Sequence, residues 1–422
     1  MSDPKKGQIE TEMAYMIAIP RNTADIEDFD KLFSKLKGVK DFQLMNIQHD
    51  DEFNCPVLYI TYKEEVYLIQ VEQVEYDYSD GIIKHQMAQE NIDELEGASA
   101  GLQVSMLFSE HAQESYHLLL KVLYCLVPDM VGVYNCNSFM LLSPVWVKTA
   151  AEALTPPAPS YLYTIHAVND DDGTVWLHTH GLNCCGIIDL EIMGTNTERY
   201  NDLANVLTTL ADNAISKGDI EDEKVPIFTA TLSSGDYMVA TWVDWEEALG
   251  AFKKDILGGK SDRDEVHGCN TGIIFTYLSE KDYKKGKYTS LMKIKESEFE
   301  NPIFFVSNEE TLRMSELARE RISYLREALE QADAKAIVKI GLSVDEDKKE
   351  EAGCDHEHIW FEVKEITDTS ITGTLIQDPY FVESMHEGSE GTYGYDQLTD
   401  WILYVNEERI TPDSVYLLSL LK

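Results

Sequence analysis

The stretch Leu154-Thr-Pro-Pro-Ala-Pro-Ser160 divides this sequence. Proline fixes φ and has no amide donor, so prolines at 156, 157 and 159 cannot sit inside a helix or a central strand. Such chain reads as a stiff extended spacer. It places a boundary between an N-terminal unit over 9–153 and a central unit over 160–308. Upstream of it, Leu118, Leu119, Val122, Leu123 and Leu126 form the apolar side of a helix over 110–127, stopped by Pro128. A hairpin follows, with runs 131–134 and 139–142 around Asn135-Cys-Asn137. Further back, 13–20 is a buried strand closed by proline, and Ile26, Phe29, Leu32, Phe33 and Leu36 recur at helical spacing up to Gly38. Runs 42–47, 57–62 and 65–75 read as strands.

Downstream, strands 161–168 and 174–180 flank the turn signal Asn169-Asp-Asp-Asp-Gly173. A third strand, 187–193, leads into a helix capped by Thr195 or Asn196 and closed by Gly218, with Leu203, Val206, Leu207 and Leu210 on its stripe. Runs 226–232, 237–243, 272–278, 288–294 and 303–306 complete a sheet, and Asp244 opens a short helix. Residues 309–335, free of Gly and Pro, read as a linking helix to a strand-rich domain over 336–422. That domain has strands 336–344, 359–365, 370–376 and 401–405, a charged loop 345–353 and a glycine-bearing loop 383–394. The fold class is α+β: two mixed α/β units, a linking helix and a small strand-rich C-terminal domain.

The 422 residues hold 35 Lys and Arg against 76 Asp and Glu, a net charge of −41. A field of that sign repels phosphate backbones and anionic lipid, which argues against nucleic acid and membrane surfaces as partners and for a basic protein. With 44% hydrophobic residues the chain can bury real cores. No apolar signal core or membrane-length run occurs, so the expected setting is cytoplasmic, with the seven cysteines as thiols.

His178-Thr-His180 is the most pointed chemical feature. Residues i and i+2 of a strand face one way, so both imidazoles can reach one ion. Asp189 and Glu191 share a face of the next strand; Cys184, Cys185 and His267 are further donors in the same unit. Two imidazoles and a carboxylate suit zinc or another divalent metal. The competing reading is that these side chains only satisfy backbone and neighbouring carboxylates. Cys354-Asp-His-Glu-His358 is a second, sparser group. Leu257-Gly-Gly-Lys-Ser261 lacks the earlier glycine of a phosphate loop and follows a helix.

His358-Ile-Trp-Phe-Glu-Val363, Ile371-Thr-Gly-Thr-Leu375, Asp378-Pro379, Gly388 and Asp400-Trp401 resemble the bacterial YegJ-like family of domains. Asp378 stands where that family usually has Asn. The resemblance implies a small β-rich module and no established reaction. Thr179-His-Gly-Leu182, Gly186 and Asp189-Leu-Glu191 are similar to bacterial domains that occur joined to that module, some among proposed toxin-immunity proteins; Leu142-Ser-Pro-Val-Trp146 fits the same multidomain family.

The first expectation for function is a non-enzymatic binding protein with a basic protein partner and no cofactor. The alternatives are a metal-dependent hydrolase centred on His178 and His180, with Asp189 and Glu191 as further ligands, and a C-terminal ligand pocket lined by His358, Trp360, Asp378 and Trp401.

Overall fold

The computed structural model describes residues 6–50, 54–78, 83–263, 267, 270–330 and 334–421. Contacts gather the chain into two compact units: Met1–Ala151 with Ala158–Ser307, and Glu152–Pro157 with Asn308–Lys422.

The first unit holds two sheets. Strands β1 (Met13–Pro20), β2 (Gln43–Asp50), β3 (Cys55–Tyr62), β4 (Glu65–Glu75), β5 (Ile83–Lys84), β6 (Ala100–Leu107), β7 (Met130–Asn135) and β8 (Met140–Leu142) form an eight-stranded sheet in the order β2-β3-β4-β6-β1-β7-β8-β5. Its core strand β6, between β4 and β1, was not among the expected strands, although Leu102, Val104 and Met106 alternate with Gln103 and Ser105. Helix Ala112–Leu126 buries Leu118, Leu119, Leu120, Val122 and Leu123 without exposure. Two further helices, Gln89–Glu96 and Pro144–Ala151, add to this unit.

The second sheet runs β9 (Thr164–Asn169), β10 (Thr174–His180), β11 (Asp189–Asn196), β12 (Ile227–Thr231), β13 (Tyr237–Asp244), β14 (Thr271–Thr276) and β15 (Ile303–Phe304), in the order β15-β12-β13-β14-β11-β10-β9. The β11–β14 pair is parallel, and the others are antiparallel. Asn196 caps the helical entry by accepting from Arg199 N, helix Tyr200–Lys217 covers the sheet, and Gly218 ends it at φ 68°, the left-handed conformation glycine allows. The run 288–294, expected as a strand, is instead a single bridge from Thr276 to Thr289 followed by a 3-10 turn at Leu291–Lys293.

The boundary at the prolines takes a different form from the expected one. The units expected over 9–153 and 160–308 share one body. The segment before β1 is stitched to the loop before β11: Ile9 N donates to Gly186 O at 2.9 Å, Glu12 N to Asn183 O at 3.1 Å and Ile188 N to Gly7 O at 3.2 Å. The proline-bearing piece Glu152–Pro157 goes with the C-terminal unit, where the Leu154 and Thr155 amides donate to the Glu320 carboxylate at 2.8 and 3.0 Å. Extended chain without its own ladder finds acceptors on a neighbouring helix.

The C-terminal unit is an antiparallel sheet of β16 (Lys335–Ser343), β17 (His356–Ile366), β18 (Ser370–Leu375), β19 (Glu390–Gly394), β20 (Leu398–Val405) and β21 (Glu408–Ile410), in the order β19-β18-β17-β16-β20-β21. The expected loop 383–394 therefore ends in a strand. The expected linking helix is this unit's own helical layer. It breaks at Arg321 into Asn308–Glu320 and Ile322–Leu329, and buries Ala318, Leu325 and Ala328 in one core with Val338, Phe361 and Trp401. An apolar stripe gains more by docking on a sheet than by bridging solvent. Residues 331–333 of the expected helix lie outside the described residues. Among the described residues no helix is long and apolar enough to cross a membrane.

Candidate metal centre

Strand alternation puts His178 and His180 on one side of β10, their rings 4.8 Å apart at nearly a right angle. The antiparallel β9–β10 pairing sets His166 directly opposite His178. His166 lies 4.7 Å from the His180 ring and 5.7 Å from the His178 ring, centroid to centroid. One nitrogen from each of these three histidines lies within 4.8 Å of the other two. His267 completes the group at 5.0 Å from His178 and 5.1 Å from His180. A cavity of about 100 Å³ opens beside them, lined by His178, His180, His267, Asp189, Glu191 and Glu12 among others.

Burial makes this group unusual. His178 is 2% exposed, and among the described residues neither of its ring nitrogens has a hydrogen-bond partner. His166 Nε2 is also buried without one. A buried polar atom left unpaired costs about 1–3 kcal/mol. Burial, reinforced by the neighbouring imidazoles and Arg263, pushes the His178 pKa down to about 2, so the ring is neutral and its lone pair available. Burial lowers His166 in the same direction.

The two carboxylates sit close by but face other donors. Glu191 pairs in register with His178 across β10–β11, yet its oxygens accept from Arg263 Nη1 and Nη2, both at 2.7 Å, and from Trp176 Nε1 at 2.8 Å. Asp189 Oδ1 accepts from Thr179 Oγ1 at 2.7 Å and from Leu182 N at 3.3 Å. Burial lifts the Asp189 carboxyl to about 7 despite those bonds. Cys184 is buried, its Sγ 3.7 Å from Met13 O, and both it and Cys185 are free thiols. Cys269 lies outside the described residues.

Of the residues expected from sequence, His178, His180, Asp189 and Glu191 thus share one cavity, while His166 and Arg263 were missed. The C-terminal set does not converge. Trp401 is fully buried on the helix side, its Nε1 donating to Ala318 O at 3.0 Å. Trp360 pairs with Lys339, whose Nζ rests 5.5 Å from the ring, and His358 Nδ1 meets Thr399 Oγ1 at 3.1 Å. Trp401 pairs instead through Val338, one residue along β16 and so on the other face. Asp378 is exposed and accepts from Glu387 N at 2.7 Å.

Comparison with known families gives three matches. Residues 14–157 match a protein of unknown function, DUF4026, N-terminal; residues 165–275 match the C-terminal part of the same family; residues 313–416 match an uncharacterized protein conserved in bacteria, DUF2314. The chain is a bacterial multidomain protein that joins both parts of DUF4026 to a DUF2314 domain. The YegJ label of the sequence resemblance is not among these descriptions. No curated protein and no solved structure matches the chain. All the histidines of the cavity fall within the DUF4026 C-terminal match.

Proposed function

We propose that this protein binds a first-row divalent transition metal, zinc or a close neighbour, through His166, His178 and His180. The observation that carries the reading is His178: a 2% exposed imidazole with both nitrogens unpartnered among the described residues, aimed at two other histidines. A bound ion would repay that desolvation and complete a three-nitrogen set of the kind that suits zinc. His267 and the cavity supply room for a further ligand or a water. Hydrolysis would also need a base beside that water, and the commitment of Glu191 to Arg263 and Trp176 favours binding over hydrolysis. Elemental analysis and zinc titration of the chelator-treated full chain test the reading. One equivalent of zinc is expected, and its loss in His178→Ala/His180→Ala. Sub-stoichiometric zinc in the parent, or unchanged zinc in the double variant, would overturn it.

The charge of −41 favours a second reading alongside the first, a basic protein partner drawn in by long-range attraction. Its association rate should fall several-fold as salt shortens the screening length to about 8 Å at physiological ionic strength. A salt-independent rate would sink it.

A further inference from the structure

Resting on the metal reading just given, we propose that Arg263 decides which metals the site accepts, by holding Glu191 away from it and leaving a nitrogen donor set. Glu191 lines the same cavity as His178 and His180 and stands across the β10–β11 ladder from His178. A carboxylate at that place is a natural oxygen ligand, and oxygen ligands favour hard ions such as manganese and magnesium over borderline ones such as zinc and cobalt. Here the carboxylate is taken on both oxygens by the bidentate guanidinium, with the Trp176 indole as third donor.

The guanidinium is itself fixed from several sides. Arg263 Nη1 also donates to Thr271 Oγ1 at 2.9 Å and to the His267 carbonyl at 3.1 Å, and Nε donates to Gly258 O at 3.2 Å. Its Cζ lies 4.4 Å from the Trp245 ring centroid and 5.6 Å from that of Trp176. The side chains of the pair are 4% and 2% exposed, so little water competes for either. In such surroundings a charge pair is held far more firmly than at the surface. Asp189, a second acid of the cavity, gives Oδ1 to Thr179 and Leu182, and Glu12 is the third acid of its lining. The nitrogen donors clustered for an incoming ion are the imidazoles of His166, His178 and His180.

The same clamp ties His267 to the pair, because the Arg263 nitrogen that holds Glu191 also holds the His267 backbone. Arg263 is therefore a positioning residue, acting on metal choice through a carboxylate it keeps occupied.

The test is a ratio. The chelator-treated full chain is titrated with cobalt chloride, followed by visible absorption, and with manganese chloride, followed by electron paramagnetic resonance of the free ion. The change in local charge affects both divalent ions alike and cancels in the cobalt-to-manganese affinity ratio. Arg263→Gln should release Glu191 and lower the ratio at least tenfold. Arg263→Gln/Glu191→Gln, with no carboxylate to release, should return it to the parent value. Glu191→Gln alone should leave it within threefold, and that variant decides the matter should Arg263→Gln fail to fold. A ratio in Arg263→Gln within threefold of the parent, or a tenfold rise in Glu191→Gln, would overturn the role of Arg263 while leaving the metal site standing. No cobalt binding by the parent would overturn the site, and this inference with it.

Discussion

Two strands of this molecule carry histidines two apart, and they fare differently. On β10, His178 and His180 stand in an interior strand, 2% and 6% exposed, with a third histidine supplied by the neighbouring strand. On β17, His356 and His358 are both exposed, and the strand beside them offers Ser343 and Gly341. The spacing is the same, so spacing alone does not make a site. What differs is whether the partner strands add donors to the same buried face. Where they do, the His178 ring loses water and finds no hydrogen bond among the described residues; where they do not, the rings stay exposed, and His358 meets Thr399 Oγ1.

The widest expected gap between these two strands is in metal affinity. His178→Ala/His180→Ala should weaken zinc binding at least 100-fold, while His356→Ala/His358→Ala should leave it within twofold, both by isothermal titration. Equal losses in the two double variants would erase the distinction. Next comes packing in the C-terminal sheet. Trp401→Ala should cost about 3–5 kcal/mol in urea unfolding, as a fully buried indole that also holds Ala318 O, whereas Trp360→Ala, with a half-exposed ring under Lys339, should cost about 1 kcal/mol or less.

A third comparison concerns acids. Burial is the main cause raising the Asp400 carboxyl from its ordinary 3.8 to about 6, against a hydrogen bond from Trp401 N. The folded protein therefore binds this proton more tightly than the unfolded chain does. Its contribution is fully present below about pH 4, falls as pH rises through about 6, and stays absent above. Asp400→Asn should remove that fall and gain about 2 kcal/mol over the parent at pH 7 relative to pH 4, measured by denaturant titration at both values. A parent whose stability is flat between those values would refute it. Smallest is the cap: Asn196→Ala should cost about 1 kcal/mol, seen as a lowered Tm.

Much of this was legible in sequence. Period-two alternation and the polar turn at 169–173 gave β9 and β10 and placed His178 with His180. The same turn pointed to the right face but not to the right partner: pairing residues symmetrically about it sets 166 opposite 176, whereas the ladder pairs Asn169 with Val175 and so His166 with His178. Arg263 gave no such signal: it meets Glu191 from 72 residues away, through a loop with no periodicity. The helix at 308–329 was read correctly as amphipathic but assigned to the wrong job, because a stripe does not say which surface will cover it. The C-terminal aromatics misled for a related reason. His358, Trp360 and Trp401 are close in the ladder, but a one-residue offset sends them to opposite faces.

The six residues Glu152–Pro157 show that kinship and packing draw different borders. By family they close the DUF4026 N-terminal match, which runs to 157; by contacts they belong with a body whose family match begins at 313. A gene cut at the inherited seam would hand the C-terminal product a helix whose Glu320 has lost both its amide donors and whose Arg313 has lost the Pro156 carbonyl. Here the border of family and the border of packing pass through different residues of one chain.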